Sequence, residues 1–177
     1  KPDEVSVYIM DFGGHVLGMF RDYPHIGGIA NDNDAETTEK LAGLLSRELD
    51  RRKQKFAGEG VGNIMAYREA TGKKIPYIVL VLDNFVPVIS LYPELEDFFI
   101  TFTREGGNYG MYFVTTSGSI MGLSYKVGQN MTNALALQMT DKGDYSQILG
   151  SNEGLEPEKN PGRGLIKRKH QLEIQVA

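Results

Sequence analysis

Asp83 ends an apolar run, Tyr77-Ile78-Val79-Leu80-Val81-Leu82, and is followed by Asn84. A fully apolar run this short reads as a strand buried on both faces of a parallel sheet. Its acid then falls at the carboxyl end of the strand, where open α/β sheets bind ligands. That is the form of a Walker B strand, whose aspartate holds a nucleotide's magnesium through water. A hydrolysing site of this type carries a glutamate next, to orient or deprotonate the attacking water. Asn84 stands in that place, and a carboxamide does not act as a base. The plainer reading of Asp83 is an acid that merely ends a buried strand.

Three other positions are candidates for the same chemistry. Asp11 also ends a strand, so the two acids would share a sheet edge, although Asp11-Phe12-Gly13-Gly14 is also good turn chemistry. Thr116, at the end of the strand that follows Asp83 in sequence, is placed to sense a γ-phosphate; an ordinary polar strand end is the alternative. Arg104 falls near a helix end, where it either complements the helix dipole or acts across a subunit boundary as an arginine finger. A phosphate-binding loop, Gly-x4-Gly-Lys-Ser/Thr, occurs nowhere. Thr71-Gly72-Lys73-Lys74 is the nearest approach, and it reads as a turn. The three histidines are scattered, without metal-ligand spacing. Arg163, Lys167, Arg168 and Lys169 make a locally basic hairpin, which reads as a solvated tip or as a contact for phosphate or an acidic partner.

The elements that must position these residues alternate. Val5 to Asp11 reads as a strand, and the stretch from there to Asn31 as irregular. Asp34 to Thr37 opens a helix carrying Leu41, Leu44, Leu45, Leu49 and Phe56 on its core face, with Gly58 and Gly60 to stop it. Asn63 caps a short helix that ends near Gly72. The Asp83 strand follows, then a helix from Glu94 to Arg104 with Leu95, Phe98, Phe99 and Phe102 inward. Strands are expected at Met111 to Thr116 and Ala134 to Met139, and a helix at Asp144 to Leu149. Gly164 to Lys167 and Leu172 to Val176 form a closing hairpin. This pattern predicts an α/β domain with a largely parallel sheet.

Composition fits one domain over residues 1–177. The chain is 41% hydrophobic and 24% charged, with no cysteine and a net charge of −4. There is thus no disulfide and no thiolate metal site. The acidic balance argues against a broad nucleic-acid surface. No apolar stretch approaches the ~20 residues of a membrane helix. The charged start, Lys1-Pro2-Asp3-Glu4, is not read as a signal peptide, and a first residue other than methionine leads us to expect part of a longer polypeptide.

With these residues in place, the chain resembles the FtsK/SpoIIIE family of ring-forming translocase ATPases. It is most similar to the EssC/EccC (YukB-like) branch of type VII, ESAT-6-like secretion. Val7 to Gly13 resembles the strand after the family's phosphate-loop helix, and Tyr23-Pro24-His25-Ile26-Gly27-Gly28 its Leu-Pro-His-Val-Gly segment. Glu48-Leu49-Asp50-Arg51-Arg52 matches the end of its long helix and Ile78 to Asn84 its Walker B strand. Arg104 to Thr116, Pro161-Gly162-Arg163-Gly164 and Glu173 to Val176 complete the ordered series. The resemblance implies a RecA-like P-loop NTPase core, incomplete here because the phosphate-loop strand and helix expected before Lys1 are missing. It implies ATP and magnesium as ligands of the parent protein, with Asp83 as the metal-holding acid. Neighbouring ATPase modules, a ring oligomer and WxG-type secreted proteins are the implied partners. The implied setting is the cytoplasmic part of a membrane-anchored bacterial protein, in a segment that does not itself touch the membrane. Asn84 in place of the catalytic glutamate points to a degenerate module, with little or no hydrolysis by this chain. A DNA translocase and a non-enzymatic docking module on the same fold are the alternatives.

Overall fold

In the computed structural model, residues 1–119, 122–150, 154–168 and 170–176 are described. They pack as two compact units, Lys1–Asn130 and Met131–Ala177.

The first unit is built on four parallel strands: β1 (Val5–Asp11), β2 (Ile26–Asn31), β3 (Tyr77–Asp83) and β4 (Met111–Thr115), in the order β2-β1-β3-β4. Helices α1 (Ala35–Gly58), α3 (Phe85–Leu91) and α4 (Glu96–Glu105) cover one face. Met10, Leu80, Leu82 and Met111 meet Leu41, Leu45, Leu49, Phe85, Val88, Phe99 and Phe102 there. Phe85, Phe99 and Phe102 all stack around Phe113, with centroids 5.5–6.5 Å apart. Short helix α2 (Ile64–Thr71) closes a smaller cluster in which Phe56 and Tyr67 stack at 4.7 Å. Asn63 caps α2 by accepting from the Ala66 amide at 2.9 Å, and Gly72 ends it in the left-handed conformation (φ 65°). A four-residue helix, α5 (Tyr125–Gly128), ends this unit.

Several expectations need correction. Strand β3 is not buried on both faces: Ile78, Leu80 and Leu82 are buried, whereas Val79 and Val81 are only half-buried. On β4 the same outer face leaves Tyr112 46% and Val114 52% exposed. Helices α1, α3 and α4 cover the face of Leu80 and Leu82, whereas on the other face α2 meets the start of the strand, with Arg68 4.3 Å from the Tyr77 ring. The stretch before Asn31 is not irregular but holds strand β2. Its glycines hid it, and they serve packing: a Cβ on Gly27 would fall 2.6 Å from the Tyr8 ring. Leu44 is exposed, off the core stripe of α1, while Arg52 is fully buried. Helix α3 carries Pro87 in its first turn, where the missing N–H has no intrahelical partner to lose.

The second unit holds an antiparallel sheet of β5 (Leu135–Ala136), β6 (Arg163–Lys167) and β7 (Gln171–Gln175), in that order. The strand expected over Ala134 to Met139 is only two residues long. Helix α6 (Lys142–Leu149), capped by Asp141, packs Tyr145 and Leu149 on Ala136 and Leu165. The closing hairpin forms as expected. Of its basic residues, Lys169 lies outside the described positions.

Candidate functional site

The carboxyl ends of β1, β3 and β4 meet at one edge of the sheet. Asp11 and Asp83 are register partners, so the two strand-ending acids stand side by side. They do different work. Asp11 is 2% exposed and accepts from the amides of His15 (3.1 Å) and Leu17 (2.8 Å). Its carboxylate organises the turn that follows, as the Asp-Phe-Gly-Gly sequence suggests. That turn is also tied to the loop after β2, because His15 Nε2 lies 3.1 Å from Asp32.

Asp83 is half-buried and held by the end of β4. The Thr116 hydroxyl donates to Asp83 Oδ1 at 2.6 Å and accepts from the Asn84 amide at 2.9 Å. Three backbone bonds fix the frame. Thr116 N donates to the Leu82 carbonyl (3.1 Å), Phe85 N to the Thr116 carbonyl (3.0 Å) and Phe12 N to the Asp83 carbonyl (3.0 Å). Asn84 adopts φ 66°, a left-handed conformation that asparagine tolerates better than most side chains. Its carboxamide donates to the Phe12 carbonyl at 3.4 Å. Asp83, Asn84 and Thr116 therefore form one connected group.

Arg104 lies elsewhere. Helix α4 runs back along the sheet, so that Gly106 abuts Met111 at the amino end of β4. Met111 pairs with Ile78, roughly 16 Å of strand away from Asp83 at the usual rise per residue. Arg104 bonds Glu105 (2.6 Å), which also pairs with Lys53 (2.5 Å). The bond to Lys53, and then that to Arg104, holds the Glu105 carboxyl below its usual range; the same contact raises Lys53. Within one chain, Arg104 and Asp83 are not brought together.

Among the described residues, no group of three or more His, Cys, Asp or Glu side chains converges to hold a metal ion. One free carboxylate is poor as a cage but fits magnesium, which keeps several waters and is usually bound by one or two carboxylates plus phosphate oxygens. Asp83 fits that role, with Oδ1 already oriented. What sequence reasoning missed is Gly13, beside Asp83: a Cβ there would fall 2.0 Å from Asp83 Oδ2. The Gly13-Gly14 pair, one residue beyond the strand-ending Asp11, was the available signal.

Comparison with known proteins agrees with this geometry. The sequence profile of the FtsK/SpoIIIE family matches residues 1–168. The ESX secretion system protein EccC of Geobacillus thermodenitrificans is 27% identical over 176 residues, covering 99% of this chain but 12% of that protein. A solved EssC segment of the same organism, comprising ATPases 2 and 3, superposes with a TM-score of 0.92 at 28% identity. The match covers 98% of this chain and 33% of that one. Thermomonospora curvata EccC (ATPases 2 and 3), solved with a signal sequence peptide, gives a TM-score of 0.85 at 28% identity, over 99% of this chain and 32% of that one. A four-stranded parallel sheet flanked by helices, a profile match over nearly all the chain and relatives that are secretion ATPases lead to one conclusion: the chain belongs to the FtsK/SpoIIIE family, and its fold is that of the ATPase domains of type VII secretion proteins.

Proposed function

We propose that this chain is part of an ATPase module of a type VII secretion motor, in which Asp83 marks the nucleotide site and hydrolysis is slow or lost. The observation that carries this reading is the bond from Thr116 to Asp83 at the carboxyl edge of β3 and β4. It orients a lone acid where α/β sheets bind ligands. Magnesium, when bound with ATP, would offset charge on the phosphates. Asp83 would hold it through water, and Thr116 would face the γ-phosphate side while keeping Asp83 in register. Asn84 can accept or donate hydrogen bonds there, but takes no proton from water. The loss of a general base costs ~10²–10⁴ in rate. Arg104 has no part in the site of its own chain. It could serve only in a ring whose neighbour meets the amino edge of the sheet.

The peptide seen on the T. curvata relative supports secreted cargo as a partner of such modules. The module would then bind nucleotide or cargo and regulate a more active neighbour in the same polypeptide. The test is to titrate the polypeptide carrying this module with Mg·ATP and with the C-terminal peptide of a WxG-type substrate. Binding of Mg·ATP that Asp83→Ala weakens supports the nucleotide reading. Peptide binding with no nucleotide binding would leave a docking module and refute it.

A further inference from the structure

We propose that Gly13 is a positioning residue for the Asp83 carboxylate. Its functional meaning rests on the nucleotide reading of Asp83; the positioning itself rests on geometry. A glycine after a strand supplies either a backbone conformation or room for a close approach. Gly13 is not among the glycines of positive φ, so conformation is not the reason. Room is: an added Cβ would lie 2.0 Å from Asp83 Oδ2 and 2.8 Å from its Cγ. Gly13 leaves open the space into which Oδ2 projects, while Oδ1 takes the Thr116 hydroxyl.

The loop cannot step aside. Phe12, one residue before, donates its amide to the Asp83 carbonyl at 3.0 Å and accepts from the Asn84 carboxamide at 3.4 Å. On the other side, the amides of His15 and Leu17 are fixed on the buried Asp11. With the backbone anchored at both ends, a methyl at position 13 must displace the Asp83 side chain, and that breaks its bond to Thr116. Gly14 supplies an internal control. A Cβ there meets nothing closer than Val16 at 3.8 Å, an ordinary contact.

The experiment compares Gly13→Ala with Gly14→Ala by carboxyl-carbon NMR of Asp83 at neutral pH, together with magnesium-dependent ATP affinity. Gly13→Ala is expected to shift the Asp83 carboxyl signal. Magnesium-dependent affinity should weaken about tenfold or more, as when a supporting partner of a metal ligand is lost. Gly14→Ala should leave both unchanged. An Asp83 signal that stays in place in Gly13→Ala, or moves as far in Gly14→Ala, overturns the proposal. Should Gly13→Ala fail to fold, adding Asp83→Ala removes the clash and must restore folding; a double variant that stays unfolded overturns the proposal too. If the wild-type protein shows no magnesium-dependent ATP binding, the nucleotide reading fails, and the Asp83 signal alone decides the positioning.

Discussion

Arg52 commits its whole guanidinium group to the interior. Its Nε donates to Glu48 (2.7 Å), and its two terminal nitrogens donate to the carbonyls of Tyr109 (2.7 Å) and Pro76 (2.8 Å). One residue of α1 thus ties down the segments that lead into β3 and β4, the strands that bear Asp83 and Thr116. Burial pulls the Arg52 guanidinium below its ordinary value, against the pull of Glu48. Arg52→Ala would leave the Tyr109 and Pro76 carbonyls without their donor and Glu48 with Arg51 alone, and should cost about 1–3 kcal/mol in urea unfolding for each carbonyl left unsatisfied. Glu48 supplies the pH dependence. Burial raises its carboxyl, but bonds from Arg51 and Arg52 outweigh that, so the net shift is downward. A depressed carboxyl stabilises fully above its unfolded value, about 4.3, and loses that contribution as pH falls through the folded value. The stability gap between wild type and Glu48→Gln should therefore be flat above about pH 5 and narrow in acid. Asp83 was legible in the sequence because an acid after an apolar run is a local signal. Arg52 was not, since its partners lie 24 and 57 residues away.

At the level of elements, the strong periodic signals survived and the short or unusual elements did not. Helices α1 and α2 were readable from leucine spacing and from Asn63 before an apolar turn. Asn63→Ala should cost about 1 kcal/mol, as is typical for a lost side-chain cap, and lower the urea midpoint without moving Asp83. Strand β2 was hidden because Gly27 and Gly28 suggest a turn, whereas Gly27 serves here to admit the Tyr8 ring. Helix α3 was hidden by Pro87, which is harmless in a first turn. The corner between β3 and α3 carries its own prediction. Asn84 sits at φ 66°, where glycine is at ease and a longer side chain is strained. Asn84→Gly relieves the backbone but gives up the long carboxamide bond to Phe12, so its stability should stay within about 1 kcal/mol of wild type, while Asn84→Glu should lose about 1–2 kcal/mol. Restoring a glutamate at this site therefore works against the local backbone.

For the molecule as a whole, the half-exposed outer face of the sheet is the main departure from what the apolar β3 run implied. Parallel sheets are normally covered on both faces, yet the outer face here leaves Tyr112 and Val114 about half exposed. Apolar surface of that kind favours association. The isolated chain should self-associate with rising concentration in sedimentation velocity, and Val114→Lys should reduce that without lowering the urea midpoint. The family assignment came from the order of motifs along the chain, and the ligand edge from the register that places Asp11 beside Asp83. Which of the two acids remains available could not be read from sequence, because the amides that occupy Asp11 come from the loop's folded path. If Asp83 and Asn84 form a nucleotide site without a general base, magnesium-dependent ATP affinity and ATP turnover, measured together in the polypeptide carrying this module for wild type and Asp83→Ala, will show it. Magnesium-dependent binding should be weakened by Asp83→Ala, with turnover ~10²–10⁴ below that of a neighbouring module that keeps its glutamate. Turnover equal to that neighbour's and abolished by Asp83→Ala would contradict such a site.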